Sequence, residues 1–146
     1  MKKILHATDF SRAARPAFNY AVDLAKRAGA ALELLYVTGP VVPIYGDAYV
    51  PPRMYEQIAA RGTEWAHREM APLVKKARAA GVKVTPTVVA DGAPAERIVR
   101  AARATHADLV VVGTHGRTGL SRWLLGSVAS RVVATSRCPV VTVRGR

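Results

Sequence analysis

Along the chain, short dense apolar runs alternate with stretches in which apolar residues recur at helical spacing. Residues 4–8 form such a run and end at Asp9; Ala14, Ala17, Phe18, Ala21, Leu24, Ala25 and Ala28 then recur on one helical face and stop at Gly29. The pair predicts strand, turn and helix. Ser11 offers a cap, but Pro16 would then fall near the fifth helical position, where proline removes a backbone donor. The regular α-helix therefore starts either at that cap or nearer Arg15.

Residues 31–37 predict a second strand. It leads into a segment broken by Gly39, Pro40, Pro43, Gly46, Pro51 and Pro52, so that residues 38–52 read as one long loop, equally a binding segment or a plain connector. From Met54 the spacing predicts a long helix to Ala80, with Ile58, Trp65, Leu73 and Ala77 near one face, a kink at Pro72 and a stop at Gly81. Residues 82–90 alternate as a strand, and Pro94 opens a helix with Ile98, Val99 and Ala102 inward. Residues 109–112 are a buried strand, 113–125 a loop, and a helix to about Thr135 and a strand over 139–143 complete the set.

Five strands separated by helices, the apolar ones nearly continuous, imply one α/β domain over residues 1–146. Its core is a parallel sheet covered on both faces, and a doubly wound arrangement is the natural topology. Ligands of such sheets sit beyond the carboxyl ends of the strands, where strand order reverses, and both Asp9 and Gly113 fall at strand carboxyl ends.

The longest unbroken apolar runs are four residues, against the ~18 needed to cross a membrane. Asp9 interrupts the apolar stretch a signal peptide would need, and the lone Cys138 excludes an intrachain disulfide; a reducing cytoplasm is the expected compartment. Charge is uneven: residues 1–73 carry nine basic and seven acidic side chains, and 74–146 carry thirteen and three. Either the second half meets an anion, or it presents a solvated basic surface, as the three-residue spacing of Arg97, Arg100 and Arg103 illustrates.

The candidate chemistry lies in residues 113–128. Gly113 and Gly116 would let the backbone turn and approach a ligand, and Gly126 and Ser127 precede the next helix, whose unpaired N–H groups favour phosphate. Arg117 and Arg122 add cations. Two glycines after a strand can also be a simple turn. Asp9 can contact a ligand or merely cap the first helix, and His115 can donate to a phosphate or have no role. The other histidines have no metal-ligand spacing, and neither a Walker-type loop nor a nucleophile elbow is present.

Glycine, two residues, glycine, nine residues, then Gly126-Ser127 resembles the phosphate loop of the ATP-binding branch of the universal stress protein family. The resemblance covers nearly the whole chain, including Lys3 to Ser11 at the first strand and turn, Ala107 to Gly113 at the fourth strand, and Cys138 to Val143 at the fifth. It implies strand order 3-2-1-4-5, a homodimer through the last strand, and ATP (or ADP or AMP) with Mg²⁺ across the carboxyl edge.

By the same resemblance Ala7 and Thr8 lie on the adenine side, Val37 pairs with the adenine edge through its backbone, and Asp9 contacts the nucleotide near its ribose and, through it, the metal. Gly113, His115, Gly116, Gly126, Ser127 and Val128 match the ribose and phosphate loop. Ala7 departs from the proline of many ATP-binding members, which bears on turn stiffness more than on ligand chemistry. The expected function is a nucleotide-dependent switch acting on an unknown protein partner. The alternative is a slow ATPase or autophosphorylating enzyme, for which no paired carboxylates or base beside Ser121 or Ser127 stand in the loop. Nucleic acid ranks third, because no recognised binding signature is present and aromatics are only 6% of residues.

Overall fold

The computed structural model describes residues 1–39, 51–89, 92–114 and 125–145. Strands β1 (Lys3–Ala7), β2 (Ala31–Val37), β3 (Val84–Val89), β4 (Leu109–Gly113) and β5 (Val140–Val143) alternate with helices α1 (Arg15–Ala28), α2 (Pro52–Ala79), α3 (Pro94–Ala104) and α4 (Ser127–Thr135). The strands form one parallel sheet of order β3-β2-β1-β4-β5, the order that the family resemblance implied. The centre of the sheet is β1, which pairs Ile4 to Leu32 on one side and to Leu109 on the other.

Alternation of side chains along the central strands divides the core in two. Ile4, Leu32, Leu34 and Val111 pack with Phe18, Ala21, Met70 and Val74 of α1 and α2. Leu5, Leu35, Val110 and Val112 pack on the opposite face with Ile98, Ala102, Ala129 and Val132 of α3 and α4. Strands buried on both faces account for the nearly unbroken apolar runs.

Local chemistry sets the helix boundaries. Ser11 caps a 3₁₀ turn, Arg12–Ala14, its Oγ accepting from the Ala14 N–H at 3.2 Å, and regular α-helix begins at Arg15 with Pro16 in its first turn. There the missing proline N–H removes no helical bond. Gly29 ends α1 at φ 61°, a left-handed position suited to glycine.

Three details differ from the periodicity reading. α2 begins at Pro52 rather than Met54, and Pro72 stands inside it. Ile58 is exposed, because no residue of α2 before Ala66 is buried. A helix of 28 residues is about 42 Å long, roughly twice the length of the six-residue strand β3 that it covers, so its first half outruns the sheet. In α3 the inward residues are Ala95, Ile98 and Ala102, while Val99 is half-buried at a helix edge.

Candidate functional site

The carboxyl ends of β1, β2 and β4 open onto a cleft of about 390 Å³, within the roughly 300–1,000 Å³ common for small-molecule sites. It lies between β1, from which the chain goes on to β2, and β4, from which it goes on to β5 on the other side, which is the topological switch point of the sheet. Ala7, Val37 and Val112 contribute apolar surface; Thr8, Asp9, Thr114 and Ser127 contribute polar groups.

The turn after β1 is held by its own side chains. Thr8 is buried, and its N–H donates to the Leu35 carbonyl at 2.9 Å, fixing the turn to β2. The Phe10 N–H donates to Thr8 Oγ1 at 3.1 Å and the Ser11 N–H to Asp9 Oδ1 at 2.9 Å. The cap of the following helical turn is thus Ser11, and Asp9 lines the cleft. Phe10 adopts φ 62°, a conformation that costs a non-glycine residue ~1–3 kcal/mol. Its ring stacks on Tyr36 at 4.6 Å and meets Trp65 edge-on at 5.5 Å, contacts that hold the strained turn against β2 and α2.

Across the cleft, the Gly126 N–H donates to the Thr114 carbonyl at 2.7 Å, and the Thr114 N–H to Val143 at 2.9 Å. The first bond closes the loop that leaves β4 and brings Gly113 and Gly126 to the same cavity wall. Gly126 is the N-cap of α4 and supplies no side-chain acceptor, so the first-turn amides of Ser127, Val128 and Ala129 face the cleft region without a capping side chain. Those amides and the positive end of the helix suit an anion.

Of the sequence-predicted site residues, Ala7, Thr8, Asp9, Val37, Gly113, Gly126, Ser127 and Val128 all line this one cavity. His115, Gly116 and Arg117 lie outside the described residues. Tyr36, Thr114, Ala14, Pro94 and Ile98 also line it and were not singled out. Thr114 and Pro94 had a legible signal, one following a strand end and the other opening a helix; Ala14 and Ile98 fit the core pattern and had none.

Among the described residues, no three His, Cys, Asp or Glu side chains converge as a metal cage. Asp9 is the only carboxylate among the described lining residues. One carboxylate would suit Mg²⁺ if a phosphate-bearing ligand occupied the cleft, because Mg²⁺ keeps much of its water and is commonly held by one or two carboxylates plus a ligand's phosphates.

Behind the cleft wall, His6 is fully buried on β1, with Nδ1 3.0 Å from the Val111 carbonyl and Nε2 lacking a partner among the described residues. Burial pushes its pKa down to about 4, against smaller upward pulls from the Val111 hydrogen bond and the Asp9 charge. His6 is a neutral structural residue at neutral pH.

Residues 1–144 match the universal stress protein family. Universal stress protein MJ0531 of Methanocaldococcus jannaschii is 38% identical over 145 residues, covering 98% of this chain and 82% of that protein. The structure of MJ0577 from the same organism superposes with a TM-score of 0.84 at 29% identity, covering 99% of this chain and 96% of the other. The universal stress protein of Archaeoglobus fulgidus solved in complex with dAMP shares the fold at a TM-score of 0.72 and 20% identity, covering 99% and 98%. No helix of the described residues is long and apolar enough to cross a membrane. With its strand order and a family match spanning almost its full length, this chain belongs to the universal stress protein family.

Proposed function

We propose that the cleft binds an adenine nucleotide, ATP with Mg²⁺ in the first instance, and that the protein acts as a nucleotide-dependent switch. The observation that carries this reading is the 2.7 Å bond from the Gly126 N–H to the Thr114 carbonyl. It draws two glycine-bearing segments together beside the uncapped start of α4. Helix amides at one wall are suited to phosphate oxygens, and the apolar surface of Ala7, Val37 and Ile98 is suited to a base. Asp9 would hold the nucleotide-bound Mg²⁺.

Binding rather than turnover is the function favoured. The sequence of the loop carries no paired carboxylates and no base beside Ser121 or Ser127, and proton transfer to or from an attacking group needs a positioned acid or base. The same reading makes the protein a homodimer through β5, which is an edge strand bonded only to β4 among the described residues. An unpaired edge is a ready template for a second copy.

Melting with millimolar Mg-ATP and with adenosine tests the proposal. A ligand held only by the folded state raises stability by about 2.7 kcal/mol at one hundred times its Kd. A clear rise with Mg-ATP and little with adenosine is expected; no rise at millimolar Mg-ATP contradicts the proposal.

A further inference from the structure

The outer surface of α3 and α4 carries a basic groove that the cleft does not use. Two adjoining depressions share Val99 and Arg103 as common walls. One is flanked by Arg100 and Arg103 of α3 and Arg131 of α4, and the other extends to Arg137. All four arginines are exposed. The ion pairs Asp23–Arg27 and Glu64–Arg68 lie on α1 and α2, and none of these four arginines is paired with a carboxylate among the described residues.

Local sequence offers little compensation. Residues 92–114 and 125–145 contain six arginines against two acids, Glu96 and Asp108. Asp108 is engaged elsewhere, accepting from the N–H groups of Lys2 at 2.6 Å and Lys3 at 2.9 Å. Among the described residues Glu96 alone is left at the groove. Like charges gathered along one groove repel one another, and an anionic occupant relieves that repulsion.

We infer that this groove docks an acidic segment of a protein partner, with its carboxylates on the arginines and an apolar side chain on Val99 and Ala104. Arginine presents a planar fork of donors that matches carboxylate geometry. A polypeptide is favoured over nucleic acid because the groove is lined in part by Val99, Ala104 and Thr135, and its single aromatic ring among the described residues is the His106 imidazole, where a strand of bases needs successive rings to stack on. The inference stands independently of the nucleotide reading.

The test is fluorescence anisotropy with a labelled twelve-residue peptide of repeating Glu-Leu-Asp-Glu units, and with a labelled twelve-nucleotide deoxythymidine strand at the same salt. Arg100→Glu/Arg103→Glu is compared with Lys26→Glu/Lys75→Glu, which changes net charge equally at exposed positions on α1 and α2. The groove variant is expected to weaken peptide binding about tenfold or more and the distant variant less than about twofold, since close charge pairs are worth more than general attraction. Replacing the peptide's leucines with serine should weaken it further.

Equal weakening by both variants, tighter binding of the deoxythymidine strand than of the peptide, or no peptide binding near millimolar concentration would overturn the inference. So would loss of self-association by the groove variant with peptide binding unchanged, which would place a second copy in the groove. Arg131→Glu carries the same test from α4 if the double variant does not fold.

Discussion

Acid should weaken this fold through the buried His6. Its Nδ1 lies 3.0 Å from the Val111 carbonyl, so the neutral ring donates there and leaves Nε2 as a lone pair in an apolar pocket beside Phe18. Protonating Nε2 would place both a charge and an unpaired N–H in that pocket. The unfolded chain takes the proton near 6.5 and the folded chain only at about 4. Above pH 6.5 neither state holds it and stability is unaffected. Between those values the unfolded state binds the proton preferentially, and stability falls as pH falls, by up to about 1.4 kcal/mol per pH unit. The loss reaches about 2 kcal/mol at pH 5 and levels off near 3 kcal/mol below pH 4.

Urea unfolding of the wild type and of His6→Leu from pH 7.5 to pH 5 isolates this contribution, because the other histidines and the carboxylates titrate in both proteins. The variant also removes the orphaned nitrogen, so a folded His6→Leu protein is expected. The difference between the two stability curves should change by about 2 kcal/mol across that range. Parallel curves would refute the reasoning. Should the variant fail to fold, an NMR titration of the His6 ring in the wild type decides the same point: a midpoint near 6.5 contradicts it, and no titration down to pH 5 supports it.

Other expectations concern the cleft and the edge strand. Asp9→Asn keeps an acceptor for the Ser11 N–H but removes the charge, so melting should stay within about 2 °C while Mg²⁺ ceases to strengthen ATP binding by calorimetry. Ser11→Ala removes the cap of the turn before α1 and should cost about 1 kcal/mol in urea unfolding. The carbonyls of Pro139 and Val143 accept from β4, so the alternation of a parallel ladder turns the Thr142 N–H to the open edge. Thr142→Pro should therefore leave the monomer folded and convert a sedimenting dimer to monomer; a dimer that persists would exclude pairing through this edge.

The architecture was legible because a buried parallel sheet writes its strands as dense apolar runs and its helices as wider stripes. Ile4, Leu34 and Val111 announced themselves this way. Glycine, proline and serine at Gly29, Pro94 and Ser11 then marked the boundaries. The site was legible in part because its residues cluster at strand ends, as Ala7 to Asp9 and Gly113 do.

Other features depend on tertiary surroundings that periodicity does not encode. Ile58 repeats with the α2 stripe but lies beyond the sheet that would cover it. Val99 sits one position past the inward face of α3, where Ala95 takes the buried place. Tyr36 joins the cleft because the Phe10 turn folds against it, and a residue type that is usually right-handed at φ gives no hint of a value of 62°. The full burial of His6 is equally silent in sequence, since a polar residue in an apolar strand can point either way.

Backbone amide NMR with Mg-ATP and, separately, adenosine tests most directly whether the start of α4 captures phosphate. The Ser127, Val128 and Ala129 amides should move with Mg-ATP and stay nearly still with adenosine, while Ala7 and Thr8 respond to both. Unmoved α4 amides under saturating Mg-ATP, or equal shifts with adenosine, would contradict the account.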